Sequence, residues 1–277
     1  MSKLSPAHWI GKTETCSDVI DMAHVGKIAA TLGAPRPGAG EPLPMLWHWA
    51  FFQEPVSADG LGEDGHPARG GFLPPADNRN RMWAGGHLDF VQPLSIGVQA
   101  HRTTTIGAVE EKQGRSGSLL FITLNHEYTQ AGQLCVREQQ NIVYREPAVP
   151  KESSDFVVPE PAWCERFHPT PVTLFRYSAV TFNGHRIHYD HPYATDVEGY
   201  SGLVVHGPLQ ATLMLQMFQQ QCPGRIPKAY TYRGLRPLTA DEPFNIAGAD
   251  IAADRAQLWT FTDRGPAHHA EIQFEEA

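Results

Sequence analysis

The stretch LVVHGPLQATLMLQMFQQQ (203–221) sets the fold class. Its apolar residues recur at helical spacing along one long face, and Pro208 is tolerable only in a helix's first turn. The helix therefore starts near His206-Gly207. Three strand-like runs come after it, KAYTYRGLR (228–236), PFNIAGADI (243–251) and AQLWTFTD (256–263), and then HHAEIQF (268–274), whose His268 and His269 read as a solvated strand edge. A long apolar helix ahead of antiparallel strands is an α+β unit.

The first half of the chain offers the same ingredients. SDVIDMAHVGKIAATLG (17–33) reads as a helix capped by Ser17 and ended by Gly33. PMLWHWAFFQ (44–53) is apolar and aromatic, which suits a short buried helix, and the segment after it is rich in Gly and Pro turns. Strand texture appears in 97–112, 118–128 and 133–145, separated by QGRSG and TQAG turns, as in an antiparallel meander. EPAVPKESSDFVVPEPAW (146–163) is proline-rich and polar and reads as a linker, and TPVTLFRYSAVTF (170–182) starts extended. Two α+β units of similar plan are expected. There is no βαβαβ alternation and no glycine-rich phosphate loop.

Bulk properties narrow the function. The chain has 277 residues, 41% of them hydrophobic and 10% aromatic, enough for a sizeable core. A net charge of -8 argues against nucleic acid, which needs a basic footprint, and disfavours a membrane surface. Cys16, Cys135, Cys164 and Cys222 are scattered and form no Cys-x-x-Cys, so neither a zinc knuckle nor a redox dithiol is expected. No stretch approaches the ~18 consecutive apolar residues of a membrane span, and the start lacks a signal-peptide run. The expected setting is cytoplasmic.

Chemistry concentrates in two places. TFNGHRIHYDH (181–191) packs His185, His188, Asp190 and His191 close together. Metal ligation, acid/base work and a solvated patch are all open, but no zinc spacing fits, whereas one imidazole titrating near neutral pH suits proton transfer. VVHGPLQA (204–211) places Gly207 at the first turn of the apolar helix. Free N–H groups and the positive dipole end can hold a developing oxyanion there, or the glycine merely permits a turn.

Together these stretches resemble the MaoC-like, hydratase-2 family of enoyl-thioester hydratases and dehydratases. The family signature is Asp-x-Asn-Pro-(Ile/Leu)-His, followed by a His-Gly that opens the central helix. Here it reads Asn183-Gly184-His185-Arg186-Ile187-His188, then His206-Gly207. Arg186 replaces the proline, His185 the asparagine, and Asn183 the catalytic aspartate; an asparagine cannot take a proton but can orient water. FNGHRIHYDHPYA with EGYSGLVVHGPL is similar to the subgroup of mitochondrial 3-hydroxyacyl-thioester dehydratases and bacterial mesaconyl-C4-CoA and itaconyl-CoA hydratases. WHWAFF, DGHPARGGFLPP and NRMWAGGHLDFVQPLSIG match the first half of that subgroup.

The resemblance implies a double hot dog, two antiparallel sheets each wrapped around a central helix. The non-catalytic domain would be 1–146, the linker 147–163 and the catalytic domain 164–277. PMLWHWAFF and 206–220 would be the two central helices, with the site between the halves. It implies no metal and no redox cofactor, a CoA thioester as the substrate itself, and is compatible with a homodimer or higher oligomer. His188 would be the base, Asn183 the group orienting the water, and the Gly207 N–H the oxyanion donor. Arg186, His206, Arg233 and Arg236 would bind substrate, the arginines by its carboxylate or CoA phosphates; Asp64 and His66 either touch the acyl group or form a surface turn. The expected reaction is hydration of a short branched C5 dicarboxylyl-CoA to citramalyl-CoA. Dehydration of 3-hydroxyacyl thioesters and non-catalytic thioester binding are the alternatives.

Overall fold

A computed structural model describes residues 6–68, 70–76, 79–114, 117–240 and 242–276. Its strands are β1 (Thr13–Val19), β2 (Asn80–Phe90), β3 (Gln99–Gly114), β4 (Gly117–Gln130), β5 (Gln133–Arg145), β6 (Trp163–Phe167), β7 (Arg225–Gly234), β8 (Phe244–Ala252), β9 (Arg255–Thr262) and β10 (Gly265–Glu276). The helices are α1 (Met22–Leu32), α2 (Pro171–Val180) and α3 (Gly207–Gln221). All ten strands join one antiparallel sheet in the order β1-β3-β4-β5-β2-β7-β10-β9-β8-β6. Counted inward from either edge, the two halves have the same connectivity. They meet where β2 pairs with β7, from Gly85 opposite Arg233 to Asp89 opposite Ala229.

The hot-dog class is what the strands form, with two corrections. The two sheets are one, because β2 and β7 satisfy each other's edge hydrogen bonds instead of leaving two open edges. And among the described residues only one half has a long central helix. α3 buries Leu209, Ala211, Leu213, Met214, Leu215 and Phe218, along with the polar Gln210 and Thr212, because β7 to β10 curl around it. In the first half the chain enters the same place by the same bonds. Leu43 N–H donates to Leu94 O at 2.7 Å, as Val205 N–H does to Leu238 O at 2.8 Å. The helix there is reduced to a single 3₁₀ turn, Trp47–Ala50, between Leu46 and Phe52, both left-handed at φ 68° and 61°. Bulky aromatics fill the space: Trp49 and Tyr128 donate to the buried Glu138 carboxylate at 3.0 Å.

Tertiary contacts adjust the local readings. Residues 13–19 pair with β3, so α1 starts later than expected, capped by Asp21 through His24 N–H and not by Ser17; Gly33 closes it at φ 63°. The stretch 170–182, expected extended, is α2: Thr170 caps it and Pro171 sits in the first turn, where a missing N–H costs nothing. No described helix is long and apolar enough to cross a membrane.

Candidate active site

The loop after α2 is built by its own polar groups. Asn183 N–H donates to Ser178 O at 2.8 Å, and Asn183 Oδ1 accepts the His185 N–H at 3.0 Å, an Asx turn. A 3₁₀ turn, Arg186–His188, then carries His188 under the segment entering α3, where Val204 N–H bonds Ile187 O.

His188 is buried, and its Nδ1 lies 2.7 Å from Val204 O. A carbonyl only accepts, so Nδ1 holds the proton and Nε2 presents a lone pair. Burial holds its pKa down to about 4, so the ring is neutral at pH 7. The His206 ring stacks on it at 3.6 Å and 18°. His206 is fully buried, its Nε2 is 2.8 Å from Ser178 Oγ and its ring meets Tyr177 edge-on. It therefore backs the His188 ring. Gly207, next in the chain, is the first residue of α3, where an N–H has no intrahelical partner. A side chain there would place Cβ 2.6 Å from Cε3 of Trp83, on β2 of the other half.

The first half reaches the site a second time. Gly65 (φ 86°) packs so closely on Gly184 that a Cβ would overlap the Gly184 carbonyl oxygen. Arg186 N–H donates to Asp64 O at 2.9 Å, and Arg186 Nη1 to Glu63 O at 3.0 Å. This docking brings His66 to 4.4 Å from the His185 ring, which meets His188 edge-on at 5.4 Å. Asp64 accepts from the His66 N–H at 3.0 Å, with its other oxygen 3.4 Å from His66 Nδ1. Burial pushes the Asp64 carboxyl up, but the hydrogen bonds and charge of His66 outweigh it and hold it below the usual range. Burial, then the neighbouring His66 and His188, push His185 down to about 2. Its Nε2 is buried without a partner among the described residues. Asp64, His66 and His185 bring possible ligand atoms within 4.8 Å of one another.

The other expected binders separate. Arg186 places Nε and Nη2 on Asp190 Oδ2 at 2.9 and 2.7 Å and lies over the Tyr193 ring, so it ties the loop together. Arg236, expected at the CoA phosphates, is buried, with Nη2 on Thr262 Oγ1 and Gly265 O at 2.6 and 2.8 Å and Nη1 on Pro237 O at 3.3 Å. Arg233 stays exposed on β7. His268, expected at a solvated edge, is buried against Trp83, and burial pushes it down to about 3. Ser178, Trp83 and Arg81 also belong to this region, and nothing local marks them in the sequence. Arg81, two residues before Trp83 on β2, is half-buried; its side chain makes no hydrogen bond or ion pair among the described residues, and its charge is felt at His185.

The chain is similar to known proteins in sequence and fold. Residues 46–240 match the family model of hydroxyacyl-thioester dehydratase type 2. The mesaconyl-C(4)-CoA hydratase of Chloroflexus aurantiacus is 43% identical, with 89% of each chain covered. The mitochondrial hydroxyacyl-thioester dehydratase type 2 of Schizosaccharomyces pombe is 28% identical over 87% of this chain and 90% of that one. The fold matches a MaoC-like dehydratase from Phytophthora capsici with a TM-score of 0.71, at 13% identity over 97% of this chain and 96% of that one. The chain belongs to the hydroxyacyl-thioester dehydratase type 2 family and shares the fold of MaoC-like dehydratases.

Proposed function

We propose that the protein hydrates a short, branched C5 dicarboxylyl-CoA, mesaconyl-C4-CoA or itaconyl-CoA, giving citramalyl-CoA. The observation that carries the reaction type is the His188 tautomer, with a neutral Nε2 lone pair beside the start of α3. The similarity to the mesaconyl-C(4)-CoA hydratase supports the substrate class.

For mesaconyl-C4-CoA the thioester oxygen accepts from the Gly207 N–H, a donor of a kind worth about 3–4 kcal/mol in the transition state. Water sits between His188 Nε2 and Asn183, whose Oδ1 is taken by the His185 N–H and whose amide N–H groups are left to donate. His188 takes one proton as the oxygen bonds the β-carbon, and the π electrons move to the thioester oxygen as an enolate. The imidazolium then returns that proton to the α-carbon, completing addition of one water.

Purified protein offered mesaconyl-C4-CoA, itaconyl-CoA and crotonyl-CoA, with products followed by mass, tests the reading. Gain of one water on a dicarboxylyl substrate is expected. Turnover of crotonyl-CoA alone favours the dehydratase reading, and no turnover the non-catalytic one.

A further inference from the structure

A carboxylated substrate brings a second anion, and its chemistry says where that anion lies. In mesaconyl-C4-CoA the free carboxylate is attached to the β-carbon, the atom that receives the hydroxyl. It must therefore sit within a bond or two of the water held by His188, far from the CoA phosphates. A carboxylate entering this dry region needs a cation or N–H donors already in place, or its desolvation is uncompensated.

The nearby arginines are mostly committed. Arg186 is held by Asp190 and Glu63 O, and Arg236 by Thr262 and Gly265. Arg81 is not: half-buried, its side chain has no hydrogen bond or ion pair among the described residues. Two positions along β2, so on the same face of the strand, Trp83 abuts Gly207. From there the charge of Arg81 reaches His185. His185 is itself only 6% exposed, its ring meets His188 edge-on, and its Nε2 has no partner among the described residues. We propose that Arg81 and the Nε2–H of His185 form the subsite for the carboxylate on the β-carbon, which rests on the dicarboxylyl substrate already proposed. A neutral imidazole carries one proton and places it on whichever nitrogen meets an acceptor, so His185 donates at Nε2 when the carboxylate arrives. The planar guanidinium supplies the charge and a two-pronged contact.

The test is the ratio of kcat/KM for mesaconyl-C4-CoA over crotonyl-CoA, which lacks the carboxylate. Arg81→Gln is expected to lower that ratio by about 30-fold or more, the scale of a lost charge-assisted hydrogen bond. His185→Gln, which keeps an N–H, is expected to lower it less than His185→Phe. If Arg81→Gln slows both substrates equally, or neither, the subsite is overturned while the substrate reading stands. A wild-type enzyme that hydrates crotonyl-CoA and ignores mesaconyl-C4-CoA overturns the substrate reading and the subsite with it. Melting temperatures near wild type keep misfolding apart from either outcome.

Discussion

The proposed role of His188 as base depends on a proton at the other ring nitrogen, Nδ1. Because Nδ1 donates to Val204 O, Nε2 is free to act as a base, and stacked His206 keeps the ring from turning. His188→Ala is expected to cut kcat by a factor of about 100 or more with the fold retained, checked by turnover and circular dichroism. With its pKa near 4, His188 stays neutral under mild acid. The pH profile of kcat/KM should therefore lack the break near 6.5 of an ordinary histidine and fall only toward pH 4, within the range where the fold survives. His188, Asn183 and Gly207 are legible in the sequence because motif spacing is local. His206 is legible as a residue but not as the ring that backs the base, since stacking needs the α3 entry laid over the 3₁₀ turn.

Among the elements, α3 is readable because its apolar pattern spans four turns, whereas the β-branched and aromatic residues of α2 imitate a strand. The loop around Gly65 is visible in the sequence only as turns, and its docking on Gly184 is a tertiary fact. Gly65→Ala should lift that loop, since the new Cβ meets backbone and φ 86° disfavours any side chain. Turnover is expected to fall by at least about tenfold and stability by about 1–3 kcal/mol, read from kinetics and urea unfolding. Gly207→Ala separates two effects. Alanine favours a helix interior by about 1 kcal/mol, but here its Cβ presses on Trp83. Activity should fall further than stability.

The whole molecule carries a pH liability. Burial holds His126 and His188 down to about 4 and His268 to about 3, and keeps His206 well below its ordinary range. Unfolded, each would take a proton below about 6.5. As pH falls from there toward 4 the unfolded chain binds more protons than the native one, so stability is complete above 6.5 and lost on acidification. Each such group costs at most about 1.4 kcal/mol per pH unit, so four erode much of a typical 5–15 kcal/mol. Acid unfolding followed by circular dichroism should set in below pH 6; a flat melting temperature from pH 7 to 4.5 would show that these rings are not held neutral.

By itself the sequence determined the α+β class, the hairpins of both halves, α3 and the residues of the signature, because each rests on periodicity or spacing within a few turns of chain. Tertiary structure alone decided that the two sheets become one, that the first half forgoes its long helix, that Trp83 meets Gly207 and that His66 meets the signature loop. Those contacts join segments far apart in the chain, and their partners are chosen by edge pairing, burial and unmet hydrogen bonds that no local pattern records.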